Sequence, residues 1–441
     1  MRILQIRLLN PLTSSIIIEH KKGDVEMLLE FSCSNHKSIK DKIIFSMVAG
    51  KDNTSEELLI PFDKYRVLRS SVIYGANGSG KSNFIDAISF VKNLVINSIN
   101  HQPGQGIRQL THKLLGFDTD STYSIHFIKD GIRYAFGFTL NKTLITDEYL
   151  VYFPKGRQVI IYERDAAEYK PGDKFKGKFD ACKDVFKPNR LFLSCAANFS
   201  SVSEIEKAFS FFRDDLVVYK GLGTDDWMNY SLHTMEQNPE IKAIVIDFLK
   251  RLGTGINNIV INHSKQNLDP ASLPPFLSED FKALLLRDQF DVFDTKIVYD
   301  QFDVDLQDES TGVRKLLEFV CPLVDIISKG KILVCDEMEA NFHESLMYGF
   351  VDLFRRADAK SQAQLLFTTH DTSILDLSIF RRDQIWFTEL TADNRSTDLY
   401  SLAEIKNVRK DENIGKGYIA GKYGAIPMLN ANLAGAIEKE N

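Results

Sequence analysis

From residue 27 onward the apolar positions alternate between strand-like and helix-like spacing, and this order predicts the elements. Met27-Leu-Leu-Glu-Phe-Ser and Lys42-Ile-Ile-Phe-Ser-Met flank a polar stretch, Asn35 to Lys40, which reads as a hairpin entering the central sheet. The apolar run Val67 to Tyr74 reads as one strand and runs into a glycine-rich loop. Beyond the loop Phe84, Ile88, Val91, Val95 and Ile99 recur at helical spacing, so an amphipathic helix extends from Lys81 to about Ile99, with His101 to Gly106 breaking it. Three or four strand-like runs follow between Tyr123 and Arg164, separated by turn residues such as Asp130-Gly131 and Pro154-Lys155-Gly156. Ser203 to Phe212 and Glu240 to Leu252 carry helical patterns, Asn257 to Ile261 and Thr295 to Leu306 read as strands, and His263 to Pro275 reads as loose. Val313, Leu316, Leu317, Val320, Leu323, Val324 and Ile327 define another helix, ending at Gly330. Two short apolar runs, Ile332 to Cys335 and Leu365 to Phe367, read as buried parallel strands with polar residues at their ends.

The implied fold is α/β, with a mixed central sheet, an antiparallel β layer and a helical insertion. In segments, 1–26 is an extension, 27–200 a first lobe, 201–306 a helical or mixed insertion and 307–441 a second lobe. Within the extension Ser14 to Glu19 is strand-like and Glu19 to Asp24 charged, so Met27 could serve as a second start. No heptad pattern persists between the loop and residue 310, which excludes long coiled-coil arms.

At 441 residues and 44% hydrophobic content, a large core is available. A net charge of -6 allows DNA or RNA as a partner without implying either, since dedicated binders carry a basic excess. Five cysteines without C-x-x-C spacing point to a reducing cytoplasm. No apolar run approaches the roughly 18 residues of a membrane span, so no membrane is expected.

The chemistry begins at Gly75-Ala76-Asn77-Gly78-Ser79-Gly80-Lys81-Ser82, which fits G-x-x-x-x-G-K-[ST] between a strand and a helix. Its backbone N–H groups can face phosphate oxygens at the positive end of the helix. Lys81 would reach the β and γ phosphates of ATP, and the Ser82 hydroxyl would hold Mg²⁺. The bland alternative, a turn that binds nothing, does not require all the fixed positions. A second strand ends in Asp336-Glu337. Asp336 would hold Mg²⁺ through water and Glu337 would act as general base. The strand Gln364 to Thr369 ends at His370, which can hydrogen-bond a γ-phosphate. Ser310-x-Gly312 opens the helix that precedes the acidic strand, and such a helix start is also a phosphate-binding device. His343 follows the acidic pair closely and could sit at a subunit boundary, while His36, His101 and His233 read as surface residues.

This order of motifs resembles the ABC-type ATPases: P-loop, Ser-x-Gly signature, Asp-Glu strand, Glu-Ala-Asn loop, switch histidine. More closely, Asp308-Glu-Ser-Thr-Gly, Cys335-Asp-Glu-Met-Glu-Ala-Asn-Phe-His, Thr368-Thr-His-Asp, Arg381-Arg-Asp-Gln-Ile-Trp-Phe and Lys416-Gly-Tyr-Ile-Ala-Gly-Lys-Tyr-Gly-Ala-Ile-Pro resemble the abortive-infection ATPases of the RloA and AbiLi type, from Met27 to near the end. The resemblance implies a P-loop NTPase with an ABC-type head. It assigns phosphate and Mg²⁺ roles to Gly75 through Ser82, a signature role to Ser310 and Gly312, catalytic roles to Lys81 and Glu337, metal binding to Asp336 and switching to His370. It further implies a homodimer or a higher oligomer built from dimers, with ATP held between one chain's P-loop and the partner's signature. The implied role is bacterial anti-phage defence, with a phage protein as trigger and a separately encoded effector, a nuclease. Two features depart from the family. No Q-loop glutamine follows a strand before the signature, leaving Asn198 as the candidate, and residues 1–26 have no counterpart.

Two rival readings remain open at this stage. One is a RecF-like DNA-repair clamp. The other is a nuclease of the OLD kind, which the 71 residues after His370 are too few to supply, a Toprim domain needing roughly 100 or more. Asp303-x-Asp305 mimics part of a Toprim motif, but period-2 spacing puts both acids on one solvated face.

Overall fold

In the computed structural model, which describes residues 25–116, 118–221, 225–267, 289–339, 344–355, 361–409 and 412–426, the strand Ser70–Gly75 lies inside a six-stranded sheet. The order is Leu216–Tyr219, Ile332–Cys335, Gln364–Thr368, Ser70–Gly75, Ile385–Leu390 and Thr397–Ser401, and every pair is parallel except the last. Tyr219 pairs with Cys335, Cys335 with Phe367 and Thr368 with Ile73, so the carboxyl ends of these strands finish level. That register brings the glycine-rich loop, the acidic pair and His370 to one edge of the sheet, where ligands bind in open α/β sheets.

The run Val67 to Tyr74 is two strands rather than one. Tyr65–Leu68 pairs antiparallel with Leu59–Phe62, and Ser70–Gly75 joins the central sheet. The break falls at Arg69, which is buried and whose Nη1 donates to the Ser361 carbonyl at 2.8 Å. Burying a guanidinium demands such partners.

The hairpin Met27–Ser34 with Ile43–Ser46 forms as expected but does not enter the central sheet. It closes one edge of a seven-stranded antiparallel layer that also contains Ser121–Lys129, Ile132–Leu140, Ile145–Tyr152, Val159–Asp165 and Glu168–Pro171. The buried Gln364 ties this layer to the central strands: its Oε1 accepts from the Leu28 N–H at 2.6 Å, and its Nε2 donates to the carbonyls of Leu28 and Leu68. The ordered layer starts before Met27, because the Val25 carbonyl accepts from the Gly131 N–H and Glu26 pairs with Lys129 at 3.2 Å. Residues 1–24, and with them the strand-like Ser14 to Glu19, lie outside the described residues.

The helix Lys81–Asn97 is covered by apolar residues of both sheets. Phe84 meets Phe31 and Phe45 of the antiparallel layer at 5.7 and 5.6 Å between ring centroids, and Phe45 meets Trp386 of the central sheet at 4.9 Å. Its buried surface, which includes Ile85 and Ala87, is therefore wider than a single amphipathic stripe. The segment after Leu191 is a helix, Phe192–Phe199, because Glu148 caps it: the N–H groups of Phe192 and Leu193 donate to that carboxylate at 2.7 and 2.9 Å. Glu148 is itself fully buried and paired with Arg164 at 3.2 Å.

The chain divides into a larger unit, 1–221 with 326–441, and a smaller one, 222–325. Helix Ser203–Ser210 belongs to the larger unit, its Ile205 and Ala208 lying in the main core. The smaller unit contains helices Asp225–Gln237 and Pro239–Arg251, and an antiparallel sheet of Asn258–Asn267, Gln289–Val298 and Asp303–Asp305. The expected strand Thr295 to Leu306 folds back on itself there, with the Tyr299 N–H donating to the Phe302 carbonyl across the turn. His263 to Asn267, expected to be loose, continues the first of these strands, and 268–275 lies outside the described residues.

Two histidines read as surface residues are not. His36 is fully buried between Tyr123 and Asp86, and the half-buried His101 bonds the Asn189 carbonyl through Nδ1 at 2.9 Å. His233 is exposed. All five cysteines are buried free thiols. Among the described residues no helix is long and apolar enough to cross a membrane.

Candidate active site

The loop after Ser70–Gly75 is tightly built from below and open above. Gly78 and Gly80 have φ of +79° and +110°, which a side chain disfavours. A Cβ on Gly80 would overlap Thr397 Oγ1, and one on Gly75 would overlap Thr388 Oγ1 and Ser79 Oγ. These threonines pin the loop. Thr388 Oγ1 lies 2.6 Å from Ser79 Oγ, and Thr397 Oγ1 donates to the Ser79 carbonyl at 2.9 Å. A Cβ on Gly78 would meet nothing within 4 Å, so the loop is open to solvent at that position. Asn77, Gly78 and Ser82 are exposed, while Ser79, Gly80 and Lys81 are buried.

Lys81 opens the helix and folds back over the loop, its Nζ donating to the carbonyls of Gly75 at 2.8 Å and Ala76 at 3.2 Å. Burial lowers its pKa to about 8, against the pull of Glu339, Asp336 and Glu337. An ammonium held by two carbonyls in a partly dry site gains strongly from a phosphate.

The acidic pair is organised by a residue to which the sequence alone assigned no role of its own. Thr368 Oγ1 donates to Asp336 Oδ1 at 2.6 Å and accepts from the Glu337 N–H at 2.8 Å. Glu337 adopts φ of +47°, a left-handed conformation that costs a non-glycine residue of order 1–3 kcal/mol, and its side chain is exposed at the strand tip. Glu339 is a second addition: its Oε1 accepts from the His370 N–H at 2.6 Å, and it is the strongest charged partner of Lys81. Partial burial, then the Lys81 charge, lower the His370 pKa, with Glu339, Glu337 and Asp336 pulling the other way. Burial and the Lys81 charge both favour the neutral form of the ring. The mutual electrostatic influence of Lys81, Asp336, Glu337, Glu339 and His370 places them in one site. Ser82 is exposed and Asp336 is buried, and each offers oxygen, the donor type that Mg²⁺ takes.

Within the smaller unit, Ser310 stands just before helix Thr311–Ser328 and its Oγ accepts from the Val313 N–H at 3.3 Å, an N-cap. Ser310 is exposed and Gly312 partly so. Glu309 steadies this start by accepting from the Ser310 N–H and from Tyr299. Asn198, the Q-loop candidate, lies on a helix rather than beyond a strand, and its Nδ2 donates back to the Ser194 carbonyl at 2.8 Å. Asp303 is exposed on its own three-residue strand. Residues 340–343, which include His343 and most of the Glu-Ala-Asn loop, lie outside the described residues, as does the end of the Lys416 motif from 427.

A family model described as "AAA domain, putative AbiEii toxin, Type IV TA system" matches residues 70–219 and 239–376. No curated protein matches the sequence. Among solved structures, an SMC head domain from Thermotoga maritima aligns at 12% identity and TM-score 0.37, covering 85% of this chain and 98% of its own. An SmcHead bound to the C-winged helix domain of ScpA aligns at 14% identity and TM-score 0.40, covering 85% and 97%. An Smc head domain with an extended coiled coil, bound to the C-terminal domain of ScpA derived from Pyrococcus furiosus, aligns at 12% and 0.35, covering 86% and 96%.

Proposed function

The chain belongs to this AAA-domain family, and on that premise we propose that it is a Mg²⁺-dependent ATP hydrolase working as a nucleotide-switched dimer. The observation that carries the proposal is the convergence on Lys81 of the glycine-rich loop, whose carbonyls hold its Nζ, and of three carboxylates, Asp336, Glu337 and Glu339, that follow the neighbouring strand Ile332–Cys335. The N–H groups of Gly78 through Lys81 would bind the phosphates, with Lys81 Nζ shifting from the Gly75 carbonyl onto them. Ser82 and Asp336 would hold Mg²⁺, which when bound neutralises charge on the β- and γ-phosphate oxygens. Glu337 would take the proton of the attacking water, and neutral His370 would donate to the γ-phosphate. Ser310 and Gly312 of one chain would complete the partner's site, so that ATP holds the dimer closed and hydrolysis releases it. The resemblance of motifs to the RloA and AbiLi type supports a regulatory role in anti-phage defence through a separate nuclease effector.

Glu337→Gln tests this reading: it should bind ATP, hydrolyse it about 10² to 10⁴-fold more slowly and accumulate dimer in ATP. Wild-type turnover in this variant would remove Glu337 as the base.

A further inference from the structure

We propose a second, independent metal site in the smaller unit, formed by His233, Glu236 and His263, for a divalent transition-metal ion of the zinc type. His233 and Glu236 are three residues apart on helix Asp225–Gln237, so they share a face. His263 comes from the strand Asn258–Asn267. The Nδ1 atoms of both histidines face the same carboxylate oxygen, Glu236 Oε2, at 3.7 and 3.3 Å. The three groups can present ligand atoms that all lie within 4.8 Å of one another. Two ligands about 2.0–2.1 Å from a tetrahedral ion stand roughly 3.3–3.4 Å apart, so small side-chain shifts suffice to enclose one. His263 is already oriented for this task. Its other nitrogen, Nε2, meets Asp291 Oδ1 at 2.7 Å, and its ring stacks on Phe293 at 4.7 Å and 16°. A carboxylate on the far nitrogen fixes the tautomer and strengthens the imidazole as a ligand. Two imidazoles and one carboxylate favour zinc over Mg²⁺ or Ca²⁺, which prefer oxygen. The side chain of His263 is 16% exposed and that of His233 47%, leaving one side open to water. The ion would fasten the helix to the hairpin.

The test is titration of the untagged, full-length chain with Zn²⁺, followed by calorimetry, and with Co²⁺, followed by its visible absorption. Expected are one ion per chain, a tetrahedral Co²⁺ spectrum and a Zn²⁺-dependent rise in Tm. Asp291→Asn should weaken binding roughly 10 to 100-fold, and His233→Ala and His263→Ala should weaken it further. Should His263→Ala fail to fold, His233→Ala decides alone, because that side chain is exposed. No Zn²⁺ uptake by the folded wild type, or uptake unchanged in His233→Ala, overturns the site and shows the cluster to be an ion-pair network.

Discussion

Replacing Thr368 by Val isolates the contact that organises the acidic pair. Thr368 is fully buried, and Val keeps its β-branched shape while removing Oγ1. Two hydrogen bonds go with it: one given to Asp336 at 2.6 Å and one accepted from the Glu337 N–H at 2.8 Å. A bond to a charged group contributes about 1.5–3 kcal/mol, and an N–H left without an acceptor costs about 1–3 kcal/mol. Glu337 is exposed, so water can replace part of the second loss and puts it at the low end. The expected destabilisation is about 2.5–4 kcal/mol. Freed from Thr368, Glu337 also loses the anchor of its left-handed backbone, and misplacing a reacting group by an ångström costs about 10²-fold in rate. The assays are denaturant midpoint at unchanged slope and single-turnover ATP hydrolysis. Thr368→Ser, which retains the hydroxyl, should restore most of both. A Val variant within about 0.5 kcal/mol of wild type and with full turnover would refute this reasoning.

Lys81 makes nucleotide binding proton-linked. Its folded pKa is lowered to about 8 from 10.5, so the folded chain holds fewer protons than the unfolded one between those values and this group's penalty on stability is relieved as pH rises through that window. Phosphate binding restores the proton, so calorimetry at pH 8 in buffers of different ionisation enthalpy should show uptake of about half a proton per ATP bound, and affinity should fall above that pH. No uptake would contradict the burial argument. Gly80→Ala should weaken ATP binding at least about 10-fold, since φ of +110° and the overlap with Thr397 both oppose a methyl group. Unchanged affinity by fluorescent-nucleotide titration would show that the loop is less constrained than described.

The P-loop and the acidic pair were legible because each lies in one contiguous stretch whose strand or helix context is local. Thr388 and Thr397 were not, and Thr368 and Glu339 stood in quoted motifs without a role, because their partners come from other segments and meet only through the register of the sheet. A polar residue at the end of a buried strand, as in Thr368, was the available signal. Periodicity also did not show that Val67 to Tyr74 serves two sheets, although the polar Arg69-Ser70-Ser71 in its middle marks the break. The turn after Tyr299 carries neither glycine nor proline, so the fold-back of Thr295 to Leu306 had no compositional mark. His36 lay in a polar stretch that reads as a turn, and its burial depends on Tyr123 and Asp86, residues distant in sequence.

The measurement that reaches the central claim most directly mixes Lys81→Ala with Ser310→Arg, each expected to be inactive alone, after subunit exchange has been demonstrated by differently labelled chains. If Ser310 acts across the dimer, one site of each mixed dimer carries both lesions and the other neither. Equal mixing makes half the dimers mixed, so ATP hydrolysis should recover to about a quarter of the wild-type rate. No recovery despite complete exchange would mean that the partner's Ser310 does not complete the site, and the shared-site mechanism would fall.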